Sequence, residues 1–214
     1  MSFTNISAKK QKAQQFKENS NKCDQKNNNI SEKKSAQLPK DAAILGLLKT
    51  MARFGVCLNN KPSTSILHDN LDNVCFILIN TYENKNKDLG IGPLNDSIHI
   101  GLYHHRLGYK VYYLFNPKSD EFTNYLSFFL QNAIKSLTVF YSGFDSSMCQ
   151  IHDIEFINGQ LSSNVIKNII TQKCSGKAKI IFITDSYNGG SVFDINSIIH
   201  SNDKQTTNII SFSV

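Results

Sequence analysis

Residues 178–194 read AKIIFITDSYNGGSVFD. Ile180, Ile181, Phe182 and Ile183 form an unbroken apolar run, the pattern of a strand covered on both faces rather than on one. Asp185-Ser186 stops the run, and Gly189-Gly190 allow a tight turn after it. A strand of this kind needs packing partners above and below its sheet. In open α/β sheets the working residues gather where such strands end. Position alone therefore marks Asp185, Ser186, Tyr187, Asn188 and Gly189 as candidate site residues.

The rest of the chain repeats the theme. Residues 74–79 (VCFILI) and 137–141 (LTVFY) are short apolar runs, and 109–115 and 208–214 read as further strands. Helical spacing predicts helices between them. The first lies within 41–58, with Ile44, Leu47, Leu48, Met51 and Phe54 on one stripe, Asp41 as its N-cap and Gly55 as the residue that ends or frays it. The second covers 95–107, with Ile98, Leu102 and Leu107 inward and Gly108 as its stop. The third covers 119–133, with Phe122, Tyr125, Leu126, Phe129 and Leu130 buried. The fourth starts at Ser162 or Ser163, with Val165, Ile166, Ile169 and Ile170 buried. Residues 59–73, 82–93 and 144–160 read as loops. Strands alternating with helices predict an α/β fold: a mostly parallel sheet with helices on both faces.

Charge separates the two ends of the chain. Residues 1–40 hold nine Lys and three acidic residues, and the remaining residues balance fourteen basic against fourteen acidic. Residues 1–40 have almost no large apolar side chains to offset the entropy of ordering, so a disordered basic tail is expected there. The folded part lacks the concentration of Lys and Arg that a nucleic-acid surface needs. No apolar run approaches the ~18 residues of a membrane span. The first residues carry no apolar signal segment. The five cysteines are odd in number and have no C-x-x-C spacing, which argues against a disulfide framework or zinc site and fits the cytosol.

Several chemistries fail on their motifs. Gly90-Ile91-Gly92 begins a dinucleotide fingerprint, but Asn95 stands where the third glycine belongs. There is no Walker-type phosphate loop and no G-x-S-x-G elbow. His99, His104 and His105 do not converge on one helix face, so no metal ion and no cofactor are expected.

The strand ends resemble those of the caspase and metacaspase superfamily of cysteine peptidases. Residues 138–145 (TVFYSGFD) match the segment that carries the family's catalytic His in a YSGHG-like motif. Residues 182–190 (FITDSYNGG) match the segment that carries its nucleophilic Cys in a DSCHSG-like motif. Residues 92–96 (GPLND) resemble the family's G-x-x-N-D helix start, and 107–111 its second-strand entry. The resemblance covers about 73–214, with 41–72 as a helical lead-in, and implies a caspase-like sheet that is incomplete at its C-terminal end. The departures fall on the chemistry: Phe144 occupies the His position and Tyr187 the Cys position. Phenylalanine cannot transfer a proton, and a phenol with a pKa near 10 is almost fully protonated at neutral pH. Ser142, Gly143, Asp145, Asp185, Ser186, Asn188 and Gly189 are then the motif-equivalent cleft.

The resemblance implies a pseudopeptidase whose partner is an active caspase-like relative or a peptide segment, with Phe144 and Tyr187 filling the catalytic space. Two other readings stand beside it. One is an active peptidase with a displaced nucleophile, Cys149 or Cys174, and His152 near the first. The other is a flavodoxin-like domain in which Asp145 and Asp185 hold Mg²⁺ or a small ligand.

Overall fold

A computed structural model of the chain describes residues 29–82, 88–148, 151–186, 193 and 209–213. The chain divides into two compact units, Met1–Ala42 and Ala43–Val214. The first helix, α1, spans Asn29–Met51. This helix starts ahead of the expected Asp41 cap and overlaps the expected unstructured tail at 29–40. Burial is the wrong criterion there: Lys, Glu, Ala and Gln favour helix without needing a core. Residues 1–28 lie outside the described residues.

The second unit is a six-stranded sheet in the order β1-β3-β2-β4-β8-β9, with every pairing parallel. Its strands are β1 (Gly55–Cys57), β2 (Asn73–Ile79), β3 (Lys110–Phe115), β4 (Ser136–Gly143), β8 (Lys179–Ser186) and β9 (Ile209–Ser213). Between them run α2 (Gly92–Arg106), α3 (Ser119–Asn132) and α4 (Ser163–Lys173). The α/β expectation with helices on both faces is met at this level.

Alternate residues of β2 show how the faces are covered. Val74, Phe76 and Leu78 join a core with Phe122, Leu126 and Phe129 of α3 and Ile166 and Ile170 of α4. Cys75, Ile77 and Ile79 join a core with Ile44 and Met51 of α1 and Leu94 and Ile98 of α2. The first side is aromatic: Phe76 lies 5.0 Å from Phe129 and 6.0 Å from Phe122, ring centre to ring centre.

Several expectations are corrected. Residues 55–57 are a strand rather than a helix end, since they pair with Val111–Tyr113 of β3; three residues are too few to show a period. The expected loop at 144–160 holds a second, antiparallel sheet of β5 (Asp145–Met148), β6 (Ile151–Phe156) and β7 (Gly159–Leu161). Its signal was the alternating Ile154 and Phe156 ahead of Asn158-Gly159, although the two turn residues are Ile157 and Asn158 and Gly159 opens β7. β8 is sealed on one face and only half-covered at Ile181 and Ile183, and it continues through Asp185 and Ser186 instead of stopping before them. Leu107 and Val165 are exposed. Leu107 caps α2 after its last turn, so the inward position falls to His104 instead.

His104 is 7% exposed, and its Nδ1 lies 2.9 Å from the Ile100 carbonyl. Burial lowers its pKa, against the opposing effect of that hydrogen bond. A depressed histidine contributes stability above its unfolded pKa, near 6.5, and loses it as pH falls through the folded value. Urea unfolding at pH 7 and pH 5 checks this: His104→Gln should lose less stability than the parent across that interval.

Candidate functional site

With all six strands parallel, the carboxyl ends of β2, β4 and β8 lie side by side. The order of β2, β3, β4, β8 and β9 reverses direction between β2 and β4, and ligands of open α/β sheets bind at such a switch point. Ser142 pairs with Asp185, and Gly143 with Ser186, at the last two rungs of β4 and β8. The two motif segments identified in the sequence are therefore neighbours in space.

Phe144 follows directly on β4 and is half-buried. Its backbone is clamped by two tyrosines. The Phe144 amide donates to the Tyr82 hydroxyl at 3.0 Å, and the Tyr141 hydroxyl donates to the Phe144 carbonyl. The Tyr82 hydroxyl in turn donates to the Glu155 carbonyl of β6 at 2.8 Å, where Asn80 Nδ2 also donates at 2.8 Å. The Tyr82 and Phe144 rings pack at 5.4 Å between centres. Burial pushes the Tyr82 phenol up to about 12, so it remains a hydrogen-bonding group and not a nucleophile.

Tyr82 adopts φ 57°, an uncommon left-handed conformation for a residue with a side chain. Asn116 holds it there, its Oδ1 accepting the amides of Thr81 at 2.8 Å and Tyr82 at 3.4 Å. Gly143 is required by close approach. A Cβ at that position would sit 2.6 Å from the Tyr141 hydroxyl, inside the clamp on Phe144.

Beside this clamp is a pocket of ≈ 210 Å³ lined by Leu89, Gly92, Pro93, Asp96, Ser142, Gly143 and Asp185. Ser142 is buried, Asp185 half-buried, and Asp96 more open. Desolvation raises the Asp96 pKa, and the charge and hydrogen bonding of Asp185 raise it further, while His99 pulls it down. The pocket thus brings two carboxylates together. Asp96 belongs to the GPLND segment but was missing from the expected cleft. Only the sheet order shows that the start of α2 faces the end of β8.

The remaining expected site residues divide as follows. Asp145 opens β5 opposite Ile154, and Ser186, 7% exposed, closes β8. Tyr187, Asn188 and Gly189 lie outside the described residues, as does the expected contact between Phe144 and Tyr187. Cys149 and the side chain of His152 lie outside them too. Cys174 is a buried free thiol that precedes β8. It therefore stands at the amino end of a strand of eight residues, roughly 25 Å from the carboxyl rim. Among the described residues, no group of three or more His, Cys, Asp or Glu could hold a metal ion, and no helix is long and apolar enough to cross a membrane.

No family model matches the chain, and no curated protein does. Among solved structures it is similar to the crystal structure of the Drosophila initiator caspase Dronc, at 18% identity and a TM-score of 0.41. The similarity covers 54% of this chain and 49% of that one, about half of each.

Two outcomes test the geometry. Tyr82→Phe removes the hydroxyl that accepts the Phe144 amide, while the Glu155 carbonyl keeps Asn80 Nδ2 as a donor, and the lost partner costs about 1–3 kcal/mol if unrelieved. Denaturant unfolding should show that drop, and hydrogen exchange should quicken at the Phe144 amide. Because the folded chain holds the Asp96 proton more tightly than the unfolded chain does, the Asp96–Asp185 repulsion is absent at low pH. It grows as pH rises through the raised pKa. Asp96→Asn should therefore raise Tm at pH 7, with the gain shrinking towards pH 4 in thermal scans.

Proposed function

We propose that the chain is a caspase-like domain without the family's catalytic pair, and that it binds an extended peptide through one cationic side chain. The observation that carries this reading is the Asp96–Asp185 pair at the carboxyl ends of the strands. Two neighbouring carboxylates are unfavourable in an empty pocket and become favourable around a lysine or arginine. The pocket of ≈ 210 Å³ is smaller than the roughly 300–1,000 Å³ of small-ligand sites, and suits one side chain of a longer molecule.

The absence of turnover follows from Phe144. At the position where the resemblance places a base, the side chain has no group that accepts or returns a proton. What the site retains is a backbone held in place by Tyr82 and Tyr141 and a pocket that attracts a cation. Its partner is then either an active relative that presents a basic segment or an unrelated basic peptide. Without the short edge strand β1, the order β3-β2-β4-β8-β9 is that of flavodoxin-like domains, which favours a small-ligand reading as the alternative.

A binding titration separates the readings. Fluorescence anisotropy with a labelled Gly/Ser peptide containing one Lys should give saturable binding, and the same peptide with Glu in place of Lys should not bind. Asp185→Asn should weaken the Lys peptide by about tenfold or more, the scale of one lost charge-assisted contact. Equal binding of both peptides would overturn the cationic reading. Cleavage of either peptide, blocked by a thiol alkylator, would overturn the non-catalytic one. A thermal shift with Mg²⁺ alone would favour the small-ligand alternative.

A further inference from the structure

Further along the same rim, a larger cleft of ≈ 850 Å³ opens outside the ends of β1 and β3. Cys57, Tyr113 and Phe115 come from the strand ends, Leu48 from α1, and Ile157 from the turn between β6 and β7. That turn is tied to the start of α3, where the Ser119 amide donates to Asn158 Oδ1 at 2.9 Å. Lys61 and Lys118 line the cleft together with Asp120 and Glu121, so its charges cancel. A smaller depression of ≈ 330 Å³ shares Lys61, Pro62, Glu121 and Asn124 and extends the cleft along α3.

The local hydrogen bonds engage part of this lining. Asn59 mimics a strand neighbour, accepting the Phe115 amide and donating to the Phe115 carbonyl, both at 2.9 Å. Glu121 accepts the Asn60 amide at 2.6 Å. These contacts set the shape of the cleft. Apolar and aromatic surface then lies beside balanced polar groups, the usual make-up of a site for an uncharged group with a polar end.

The cleft and the acidic pocket are joined by a short series of contacts. Asn116 lines the cleft and accepts the amides of Thr81 and Tyr82, and Tyr82 holds the backbone of Phe144 beside Ser142 and Gly143. Adjacent strands lie ~4.8 Å apart, so the step from between β4 and β8 to β3 is roughly 12 Å, or three to four residues of extended peptide at ~3.3 Å each.

We infer that this cleft is a second subsite for the same peptide. It takes the side chain three to four residues from the basic one and selects a neutral residue with a polar tip, such as Tyr, Gln or Asn. A charged side chain of either sign meets its like on the rim. A neutral hydrogen-bonding one can use both kinds of partner and pack on Phe115, Leu48 and Ile157. The inference rests on the peptide-binding reading above.

Anisotropy titrations of the full chain test it. The probes are a labelled acetyl-Gly-Lys-Gly amide and longer Gly/Ser peptides with one Lys and a Tyr placed three or four positions to either side. At least one Tyr peptide should bind about fivefold or more tightly than its Tyr-free counterpart. Asn124→Trp fills the cleft from an exposed position on α3, and should remove that gain while leaving the tripeptide's Kd unchanged. Ile157→Lys, at an exposed turn, should do the same. Equal affinities with and without Tyr, or a gain that survives both substitutions, would overturn the subsite while tripeptide binding stands. Failure of the tripeptide to bind would remove the peptide-binding reading and this inference with it.

Discussion

The structure depends on the burial of β2. Its six residues from Val74 to Ile79 are fully buried and paired with parallel strands on both sides. A strand with no wet face leaves no room for chemistry along its length. Its polar work is pushed to its carboxyl end, where Asn80, Thr81 and Tyr82 are buried as well. Buried polar groups cost about 1–3 kcal/mol each when unpaired, so the end of β2 has to recruit partners. It recruits Asn116 after β3, Ser142 and Phe144 at the end of β4, and Glu155 of the small antiparallel sheet. Partnering this strand end, where Asn80 Oδ1 alone among these atoms is left without a hydrogen bond, positions three connections around the candidate site.

That network also fixes the chain at Phe144 through its backbone rather than its side chain. Phe144 is fixed through its amide and carbonyl, which any residue except proline would supply at that position. The clamp by Tyr82 and Tyr141 is indifferent to the Phe144 side chain, apart from the ring contact with Tyr82. The electrostatic character that remains sits in Asp96 and Asp185, which repel one another unless a cation or a proton intervenes.

The larger cleft is built from the same kind of parts, at the ends of the outer strands. The antiparallel insertion links the two regions. Glu155 of β6 closes the tyrosine network, and the turn two residues later lines the cleft with Ile157. One insertion between β4 and α4 thereby touches both sites.

The layered α/β architecture was legible in the apolar runs at 74–79 and 137–141, because strands covered on both faces must be continuously apolar, and the run at 180–183 marked a third strand although one of its faces is only half-covered. Phe144 follows directly on β4 because that strand runs on through Ser142 and Gly143, two residues past the apolar run at 137–141. Other features were not. The three residues of β1 show no period, and β6 hid its alternation in a polar segment. His104 took the inward place expected of Leu107, because the helix ends at Arg106 and Leu107 is its exposed cap. The joining of Asp96 to Asp185, 89 positions apart in the chain, was decided only by strand order. By itself the sequence determined which segments are buried and which residues end them, since burial is a local property of side chains. Which of those ends meet was left to the tertiary structure, since parallel pairing is a relation between distant segments that no local pattern encodes.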